Sequence, residues 1–292
     1  MDGSDHRLDL PAVHMTLHGL SIAGIYTSLQ IPEAKICFDC GTVTPQALRM
    51  PYMALTHGHM DHAGAIASYL GQRKLLRLGP ATIFAPEELI PSLKAVVEIW
   101  GKVQGNPYDV EFKTAVPGDY LKLDAKLLLR PYRSVHSIPA LGYTLCRQAR
   151  KLKPEYQGLT GPEIATRRRA GEEVSDEHIE HLITFTGDSM IQGLLNDPIA
   201  RSARVIVSEC SFYGSEEEGS ALRTSVKHAH AGRHTHVDDV IANLDQFGCE
   251  TLVLMHLSRK HSPEEAFTVL ESRLPPDWQD RVLLLHHGNR SI

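Results

Sequence analysis

The sequence predicts an α/β protein in which two β-sheets pack face to face and helices cover their outer surfaces. In the first half of the chain, short β-rich runs joined by turns containing Gly and Pro lead into helical segments, and the second half repeats this order. A chain of 292 residues can bury a large core. We therefore expect a single domain that spans residues 1–292.

The first half predicts five strands and two helices, followed by a longer β-rich region. Apolar residues bounded by turn residues predict strands at 13–17, 22–29, 35–39, 52–56 and 81–85. One helix is predicted at 63–72 and a second at 86–103, where the apolar residues recur at helical spacing: Leu89, Leu93, Val96, Val97 and Trp100. Strands return between residues 109 and 147.

The second half predicts three strands, each followed by a helix. The first strand ends at Asp188, before a helix from Met190. The other strands are predicted at 205–209 and 251–256, before helices at 236–247 and 263–274. The last helix has a clear N-terminus, because Ser262 can cap it and Pro263 fits its first turn.

The densest group of functional side chains lies between residues 57 and 62. His57, His59, Asp61 and His62 fall within six positions, between a predicted strand and a predicted helix. Neutral imidazoles and carboxylates bind Zn²⁺ and its first-row neighbours, and a mixed set of nitrogen and oxygen ligands usually leaves a coordination position for water. The pattern therefore predicts a catalytic metal site on a tight turn.

The order His-x-His-x-Asp-His at 57–62 resembles the signature of the metallo-β-lactamase superfamily. Further motifs follow in family order, with His136 before a strand, Asp188 in a Gly-Asp-Ser motif and His256 after a strand. The resemblance implies an αββα sandwich of two mixed β-sheets flanked by helices, with metals at one edge. It also implies that Asp188 bridges two ions. One ion is held with His57, His59 and His136, and the other with Asp61, His62 and His256.

Motifs in the second half resemble the short form of the ribonuclease Z family, endonucleases that remove the 3′ trailer of precursor tRNA. They are Ser208-Glu209-Cys210-Ser211, His234 and the run from His256 to His261. The resemblance implies two Zn²⁺ per chain, with Mn²⁺ or Fe²⁺ as alternatives, and precursor tRNA as the substrate. It also implies that Asp61 is a general base and that His234, oriented by Glu209, protonates the leaving oxygen.

The chain departs from this family at positions that do not bind metal. The usual His-Glu-Ala-Thr tetrad has Ser208 and Ser211 at its ends, and the usual His-Phe-Ser-x-Arg-Tyr has Lys260 and His261 at its last two positions. The N-terminal Pro-x-Lys-x-Arg-Asn loop has no counterpart before Asp39. Two other functions stay open: a phosphodiesterase or other hydrolase for small molecules such as cyclic nucleotides, and a non-catalytic RNA-binding homologue. The complete ligand set argues against the second.

A net charge of -5 argues against binding of nucleic acid by overall electrostatics. Basic residues nevertheless concentrate between 147 and 170, within a segment at about 147–182 that resembles a reduced form of the family's tRNA-gripping arm. A solvated surface is the commoner explanation of such a run. Its position in the arm makes RNA contact an equal alternative. The residues predicted to contact RNA are Lys151, Arg167, Arg168, Arg169 and Lys260.

Other features bear on compartment and partners. The five cysteines are odd in number and widely spaced, which favours a reducing, cytoplasmic location over a disulfide framework. No segment reads as a signal peptide or membrane span. Two His-x-His pairs, at 228–230 and 234–236, predict a polar loop beside the active site in preference to a third metal site. A homodimer is left open.

Overall fold

The computed structural model describes residues 7–214, 224–286 and 290–291. In this part of the chain two mixed β-sheets pack face to face, and helices cover the outer face of each. Phe38 from the first sheet stacks on Phe185 from the second, with ring centroids 5.0 Å apart, in the apolar layer between the sheets. The expected αββα architecture is confirmed.

The first sheet has seven strands in chain order. Strands β1 to β4 pair antiparallel, and β4 to β7 pair parallel. Parallel neighbours require crossover connections, and each crossover here contains a helix. The strands are β1 (Arg7–Leu10), β2 (Met15–Ile22), β3 (Tyr26–Ile31), β4 (Ile36–Phe38), β5 (Tyr52–Ala54), β6 (Ala81–Ala85) and β7 (Val110–Thr114).

The second sheet has eight strands, also in chain order. Its first four strands pair antiparallel, the fourth to seventh pair parallel, and the last pair is antiparallel. The strands are β8 (Leu121–Lys122), β9 (Leu127–Arg133), β10 (Leu141–Leu152), β11 (Ser175–Phe185), β12 (Val205–Glu209), β13 (Thr251–Met255), β14 (Val282–Leu284) and β15 (Arg290–Ser291).

Eleven α-helices, most of them short, are described. They are α1 (Pro45–Leu48), α2 (Met60–Ala63), α3 (Ile66–Leu75), α4 (Ile90–Val103), α5 (Gly161–Arg169), α6 (Ile191–Leu195), α7 (Pro198–Arg201), α8 (Val226–Ala231), α9 (Val237–Ile241), α10 (Pro263–Arg273) and α11 (Pro276–Gln279). Helices α3 and α4 bury apolar residues against the first sheet. Helices α6, α7, α9, α10 and α11 do so against the second.

Several boundaries differ from the predicted ones. The predicted strands at 13–17 and 22–29 are β2 and β3, because the turn lies at 23–25, where Gly24 adopts φ +69°. The helix predicted at 86–103 starts as a 3-10 turn, Glu87–Leu89, and α4 begins anew at Ile90, since Pro91 in its first turn lacks an N–H.

Two other helices are shorter or more divided than predicted. One turn of helix, α2, precedes α3 and already contains two of the predicted metal ligands. The helix predicted at 236–247 ends at Ile241, and a 3-10 turn, Leu244–Gln246, follows it. On α4, Leu93 and Val97 are buried as expected, whereas Val96 and Trp100 are 48% and 47% exposed.

The arm segment, residues 147–182, is the outer part of a long hairpin. Strands β10 and β11 pair from Tyr143 and Phe185 out to Leu152 and Ser175, and the helix α5 lies between them in the chain. Helix α5 buries none of its residues. None of the helices in the described ranges is long and apolar enough to span a membrane.

Candidate metal centre

The seven predicted ligands come from both sheets and meet at one edge of the sandwich. The loop after β5 and the short helix α2 supply four of them, and the segments after β9, β11 and β13 supply three. The carboxyl ends of neighbouring parallel strands lie at the same edge of a sheet, which places these segments together. The ligands are His57, His59, Asp61, His62, His136, Asp188 and His256.

The structure brings these side chains into two groups that share Asp188. One group is His57, His59, His136 and Asp188, and the other is Asp61, His62, Asp188 and His256. Within each group the ligand atoms all lie within 4.8 Å of one another. This is the division that the resemblance implied, and one carboxylate common to both groups can bridge two ions.

The geometry of Asp188 fits a bound cation. Its Oδ1 atom is buried and accepts no hydrogen bond from the described residues, although His62 Nε2 lies 3.1 Å away and His256 Nε2 lies 3.3 Å away. The two imidazole nitrogens are themselves 3.3 Å apart. A buried acceptor surrounded by converging nitrogen atoms is stabilised by a metal ion.

The first group converges in the same way. His59 Nδ1 lies 3.0 Å from His57 Nε2 and 3.2 Å from His136 Nε2. A cavity of about 450 Å³ adjoins His136, with Arg133 and Glu88 in its lining. The group therefore has three imidazole donors on one side and open space for a substrate on another.

Hydrogen bonds to the far nitrogen atoms orient the ligand rings. His62 Nδ1 lies 2.7 Å from Asp39 Oδ2, which also accepts a hydrogen bond from the Thr56 hydroxyl, and Asp39 Oδ1 accepts one from the Thr56 N–H. The Thr56 hydroxyl in turn lies 2.9 Å from His57 Nδ1. Such outer contacts fix the tautomers of His57 and His62, so that Nε2 of both rings faces the proposed metal positions. The sequence reading did not assign this role to Asp39 or Thr56.

Two residues in the centre have left-handed backbone conformations, which are uncommon outside Gly. The φ angle is 58° at Asp39 and 64° at His256. Both residues directly follow buried strands, β4 and β13. The conformation turns the chain at the strand end and directs each side chain into the site, so some backbone strain is accepted for this placement.

The charge states in the centre suit metal binding. Burial lowers the pKa of His57 to about 2, which keeps the ring neutral and able to donate a lone pair. Burial opposes the charge of Asp188, but His256 and His62 hold its pKa well below the usual range. Burial also opposes a charged His62, yet Asp188 and Asp39 raise its pKa. These carboxylates favour positive charge where the second ion would lie.

Asp61 lies at the open side of the second group. One of its carboxylate oxygens is 3.5 Å from His256 Nε2 and accepts a hydrogen bond of 2.8 Å from the backbone N–H of Gly24, in the β2–β3 turn. Burial favours the neutral acid, but the contacts with His256 and His62 lower the pKa of Asp61. The carboxylate is therefore ionised and held in position from the first sheet.

Glu209 and His234 form a pair beside the second ligand group. Their Oε1 and Nδ1 atoms are 2.5 Å apart, and the other carboxylate oxygen accepts a 2.6 Å hydrogen bond from the backbone N–H of Ser189. Burial opposes a charged His234, but the adjacent Glu209 carboxylate raises its pKa to about 9. The pair places an imidazole that favours its protonated form next to the ligand groups, and the resemblance implied a contact between these two residues.

The arm segment is not the basic island that its first half suggests. Residues 147–182 contain seven basic and seven acidic side chains. The antiparallel register sets Arg147 opposite Glu180, and four basic residues form ion pairs. The pairs are Arg147–Glu180, Arg150–Glu173, Lys153–Asp176 and Arg167–Glu172. Of the predicted RNA contacts in the arm, Arg167 is thus paired, and Lys151, Arg168 and Arg169 have no ion pair with a described residue.

Lys260 lies near the Glu209–His234 pair and away from the arm. Its ammonium is 2.9 Å from His228 Nε2 and 5.3 Å from the centre of the Phe212 ring. The Phe212 ring also contacts His234, with ring centroids 6.1 Å apart. The Phe212 ring therefore lies between Lys260 and His234.

The remaining histidines and cysteines that stood out in the sequence have other contacts. His230 pairs with Asp239, and His236 caps α9 and contacts the Gly214 carbonyl. Among the described residues these two belong to no group of potential metal ligands. The five cysteines, Cys37 and Cys40 included, are buried and free.

Comparison with known proteins identifies relatives along most of the chain, although no family model matches it. The chain is 29% identical over 280 residues to the chloroplastic tRNase Z TRZ2 of Arabidopsis thaliana, covering 94% of this chain and 76% of that protein. It is 28% identical over 274 residues to tRNase Z TRZ1 of the same plant, covering 93% and 95%. The nuclear ribonuclease Z of Triticum aestivum is 30% identical over 163 residues, covering 55% and 91%.

Solved structures share the fold at lower identity. The metallo-β-lactamase fold protein YhfI from Bacillus subtilis superposes with a TM-score of 0.60 at 13% identity, covering 93% of this chain and 95% of that one. The short form of human tRNase Z gives a TM-score of 0.54 at 15% identity, covering 82% and 91%. At these identities the likeness concerns the fold alone.

Proposed function

The chain belongs to the ribonuclease Z family, and on this premise we propose that it is a metal-dependent endonuclease that removes the 3′ trailer of precursor tRNA. The observation that carries the proposal is the pair of ligand groups joined by Asp188, with the Glu209–His234 pair beside them. Metal ions that activate the nucleophile and a proton donor for the leaving oxygen both accelerate hydrolysis of an unactivated phosphodiester, and this site offers ligands for the first and a residue for the second.

We propose that the two groups hold two Zn²⁺ ions. His57, His59 and His136 would hold one, Asp61, His62 and His256 the other, and Asp188 both. Two such ions polarise a phosphodiester and supply a nucleophile at neutral pH. Imidazole-rich donor sets suit Zn²⁺, and Mn²⁺ or Fe²⁺ could occupy the same ligands.

The protein groups supply proton transfer. Asp61 is ionised and fixed by the Gly24 N–H, so it can accept a proton from the attacking water. His234 donates its Nδ1–H to Glu209, which leaves Nε2 to protonate the leaving 3′-oxygen of the RNA. General acid catalysis of this kind contributes about two to four orders of magnitude in rate.

We propose that RNA is gripped at two places. Lys260 would contact the backbone close to the cleaved bond, supported by its position next to Phe212 and His234. In the arm, Lys151, Arg168 and Arg169 would contact phosphates farther away, since acidic residues pair with the other basic side chains there. Arg167 is a weaker candidate because Glu172 already binds it.

One observation favours the alternative of a small phosphodiester substrate. Seven acidic residues balance the seven basic residues of the arm segment, so its attraction for a polyanion is local and weak. A dimetal site would hydrolyse a cyclic nucleotide without any arm. The non-catalytic alternative has no such support, because the whole ligand set is present.

A cleavage assay separates these functions. The zinc-loaded protein is incubated with a precursor tRNA carrying a 3′ trailer and, in parallel, with a cyclic nucleotide and an aryl phosphodiester. The proposal expects a single cut at the 3′ end of the tRNA, at a kcat/KM far above that for the cyclic nucleotide. Efficient hydrolysis of the small substrates without cleavage of the tRNA would instead support the small-molecule phosphodiesterase.

We also propose a homodimer and a reducing compartment such as the cytoplasm. The proposed compartment rests on the five free, buried thiols.

The proposed homodimer rests on α4, whose outer face exposes four apolar residues: Val96, Ile99, Trp100 and Val103. Reversing the helix about the midpoint between Ile99 and Trp100 superposes this stripe on itself, as a two-fold interface requires. A groove of about 850 Å³ beside the helix, lined by Val97 and Phe112, could receive side chains of a second copy.

A further inference from the structure

Ser211 occupies a position between the metal ligands and the proposed proton donor. It follows β12 by two residues and is 1% exposed. Its Oγ atom lies 2.7 Å from Glu209 Oε1 and 3.0 Å from His256 Nδ1. One hydroxyl thus touches both the partner of His234 and a ligand of the second metal position.

The backbone of Ser211 is fixed from both sides. Its N–H donates to the Thr235 carbonyl, at 3.1 Å, in the segment that carries His234. Its carbonyl accepts from the Ser258 N–H, at 3.0 Å, in the segment that carries His256. The side chain is therefore held between the two histidine segments with little freedom to move, and its hydrogen bonds are pre-organised.

Counting the protons on His256, Ser211 and His234 shows which atom is the donor in each of these hydrogen bonds. His256 directs Nε2 towards Asp188, so a metal ligand at this nitrogen requires that Nδ1 carry the proton. The Nδ1–H then donates to Ser211 Oγ. The single hydroxyl proton is left for two acceptors, Glu209 Oε1 at 2.7 Å and the His256 carbonyl oxygen at 3.0 Å. The carboxylate is the closer and the stronger acceptor, so the hydroxyl donates to Glu209 Oε1, which also accepts from His234 Nδ1.

The direct distance between the two outer groups shows why a bridge is required. Glu209 Oε1 and His256 Nδ1 are 3.9 Å apart, too far for a hydrogen bond. Without the hydroxyl, the nearest acceptor for the His256 N–H would be this carboxylate, and Glu209 would have to leave His234 to reach it. The hydroxyl satisfies His256 and keeps Glu209 on His234 at the same time.

We propose that Ser211 is a positioning residue that couples the second metal site to the proton donor: it fixes the Nδ1–H tautomer of His256 and holds Glu209 against His234. The part of this inference that concerns His234 rests on the proposed function. The part that concerns metal binding does not. One hydrogen-bonded chain, from His256 through Ser211 and Glu209 to His234, then affects both the zinc affinity of the second site and the orientation of the proton donor.

The test compares three variants. Ser211→Ala removes the hydroxyl, and Ser211→Thr retains it. Ser208→Ala is the matched control, because Ser208 is buried near the end of β12 and, among the described residues, its hydroxyl donates to the Glu209 carbonyl oxygen and to no ligand ring. Zinc affinity is measured by competition with a chelator, and initial rates are measured on precursor tRNA and on an aryl phosphodiester whose leaving group needs no proton.

We expect Ser211→Ala to weaken zinc binding at one of two sites by about tenfold to a hundredfold, the usual effect of losing a group that hydrogen-bonds a metal ligand. Its rate on RNA should fall further than its rate on the aryl ester, and Ser211→Thr should restore both. The proposal would be overturned if Ser211→Ala had the same zinc affinity as Ser208→Ala and the same ratio of the rate on RNA to the rate on the aryl ester. Equal losses on both substrates with unchanged zinc affinity would also overturn it.

A measurement on the unmodified protein keeps the proposal testable if Ser211→Ala does not fold. In the zinc-loaded protein, the ¹⁵N chemical shifts of the His256 ring should show a protonated Nδ1 that is hydrogen-bonded. A proton on Nε2 would exclude the chain of donors described above. Chelator competition and ring tautomer are both independent of RNA cleavage, so failure of the proposed function would be seen separately.

Discussion

Asp188 should affect metal binding more than any other single ligand, because its carboxylate belongs to both ligand groups. Replacing it with Ala should lower the occupancy of both metal positions, whereas His256→Ala should empty mainly one. Elemental analysis after zinc reconstitution and gel filtration measures this directly, with about two zinc ions per chain expected for the unmodified protein. A loss of only one ion in Asp188→Ala would show that the carboxylate is not shared.

The pair formed by His234 and Glu209 should give the metal-free protein a characteristic pH dependence. Burial opposes the charge on His234, but Glu209 raises its pKa from 6.5 to about 9 on folding. A raised pKa stabilises the folded state fully below pH 6.5, and this stabilisation disappears as the pH rises through about 9. Glu209→Gln removes the carboxylate and therefore this pH-dependent contribution.

Urea unfolding of both proteins in the presence of a chelator measures the effect. The free energy of unfolding of the parent should exceed that of Glu209→Gln by more at about pH 6 than at about pH 9.5. Glu209 also binds the Ser189 N–H and the Ser211 hydroxyl, so part of the difference will not vary with pH. A gap that is constant over this range would contradict the raised pKa.

Individual ligands could be predicted from the sequence, but their supporting residues could not. His57, Asp61 and His62 belong to one local motif, so their spacing alone indicates the chemistry. Asp39 acts on a ring 23 positions away, and Ser211 on a ring 45 positions away. Such contacts depend on which strand ends become neighbours, and the local spacing of residues does not reveal this.

At the scale of elements, the arm shows how a pattern read along the chain can mislead. Between residues 147 and 170 the basic side chains outnumber the acidic ones, but the strand that pairs with this segment begins at Ser175. The returning segment, residues 172–180, then supplies acidic partners that the local window omits, both before and within this strand. Arg168 and Arg169 form no ion pair with any residue that the structure describes, so they are the arginines of this segment best placed to bind another ligand.

A double substitution of these two arginines tests the arm. Arg168→Ala with Arg169→Ala should raise the KM for precursor tRNA and leave turnover of an aryl phosphodiester unchanged, because such contacts bind substrate and transition state alike. Each lost phosphate contact should also flatten the dependence of log affinity on log salt by about one unit. Arg167→Ala is the matched control, since Arg167 is already paired with Glu172. Equal effects of the control and the double variant would make α5 an ordinary surface helix.

At the scale of the whole molecule, the metal centre joins the two sheets. Four ligands lie in or after elements of the first sheet and three follow strands of the second. Zinc should therefore stabilise the entire fold, by about 2.7 kcal/mol at a free concentration one hundred times the Kd. Thermal unfolding with and without a chelator measures this. The stabilisation should be smaller in Asp188→Ala, and an equal response of both proteins would mean that the ions bind elsewhere.

The exposed stripe on α4 supports a prediction about assembly. A helix on the surface of a monomeric protein normally buries its apolar residues against the core, yet Ile99 is 59% and Val103 68% exposed. Packing against the same helix of a second copy would bury the stripe on both. Ile99→Glu should place two like charges in that interface and shift the protein to a monomer in sedimentation velocity at micromolar concentration. Ile25→Glu is the control, because Ile25 has a comparable exposure of 42% but lies in the β2–β3 turn beside the metal centre. If the unmodified protein sediments as a monomer at every concentration, the stripe on α4 does not bind a second copy.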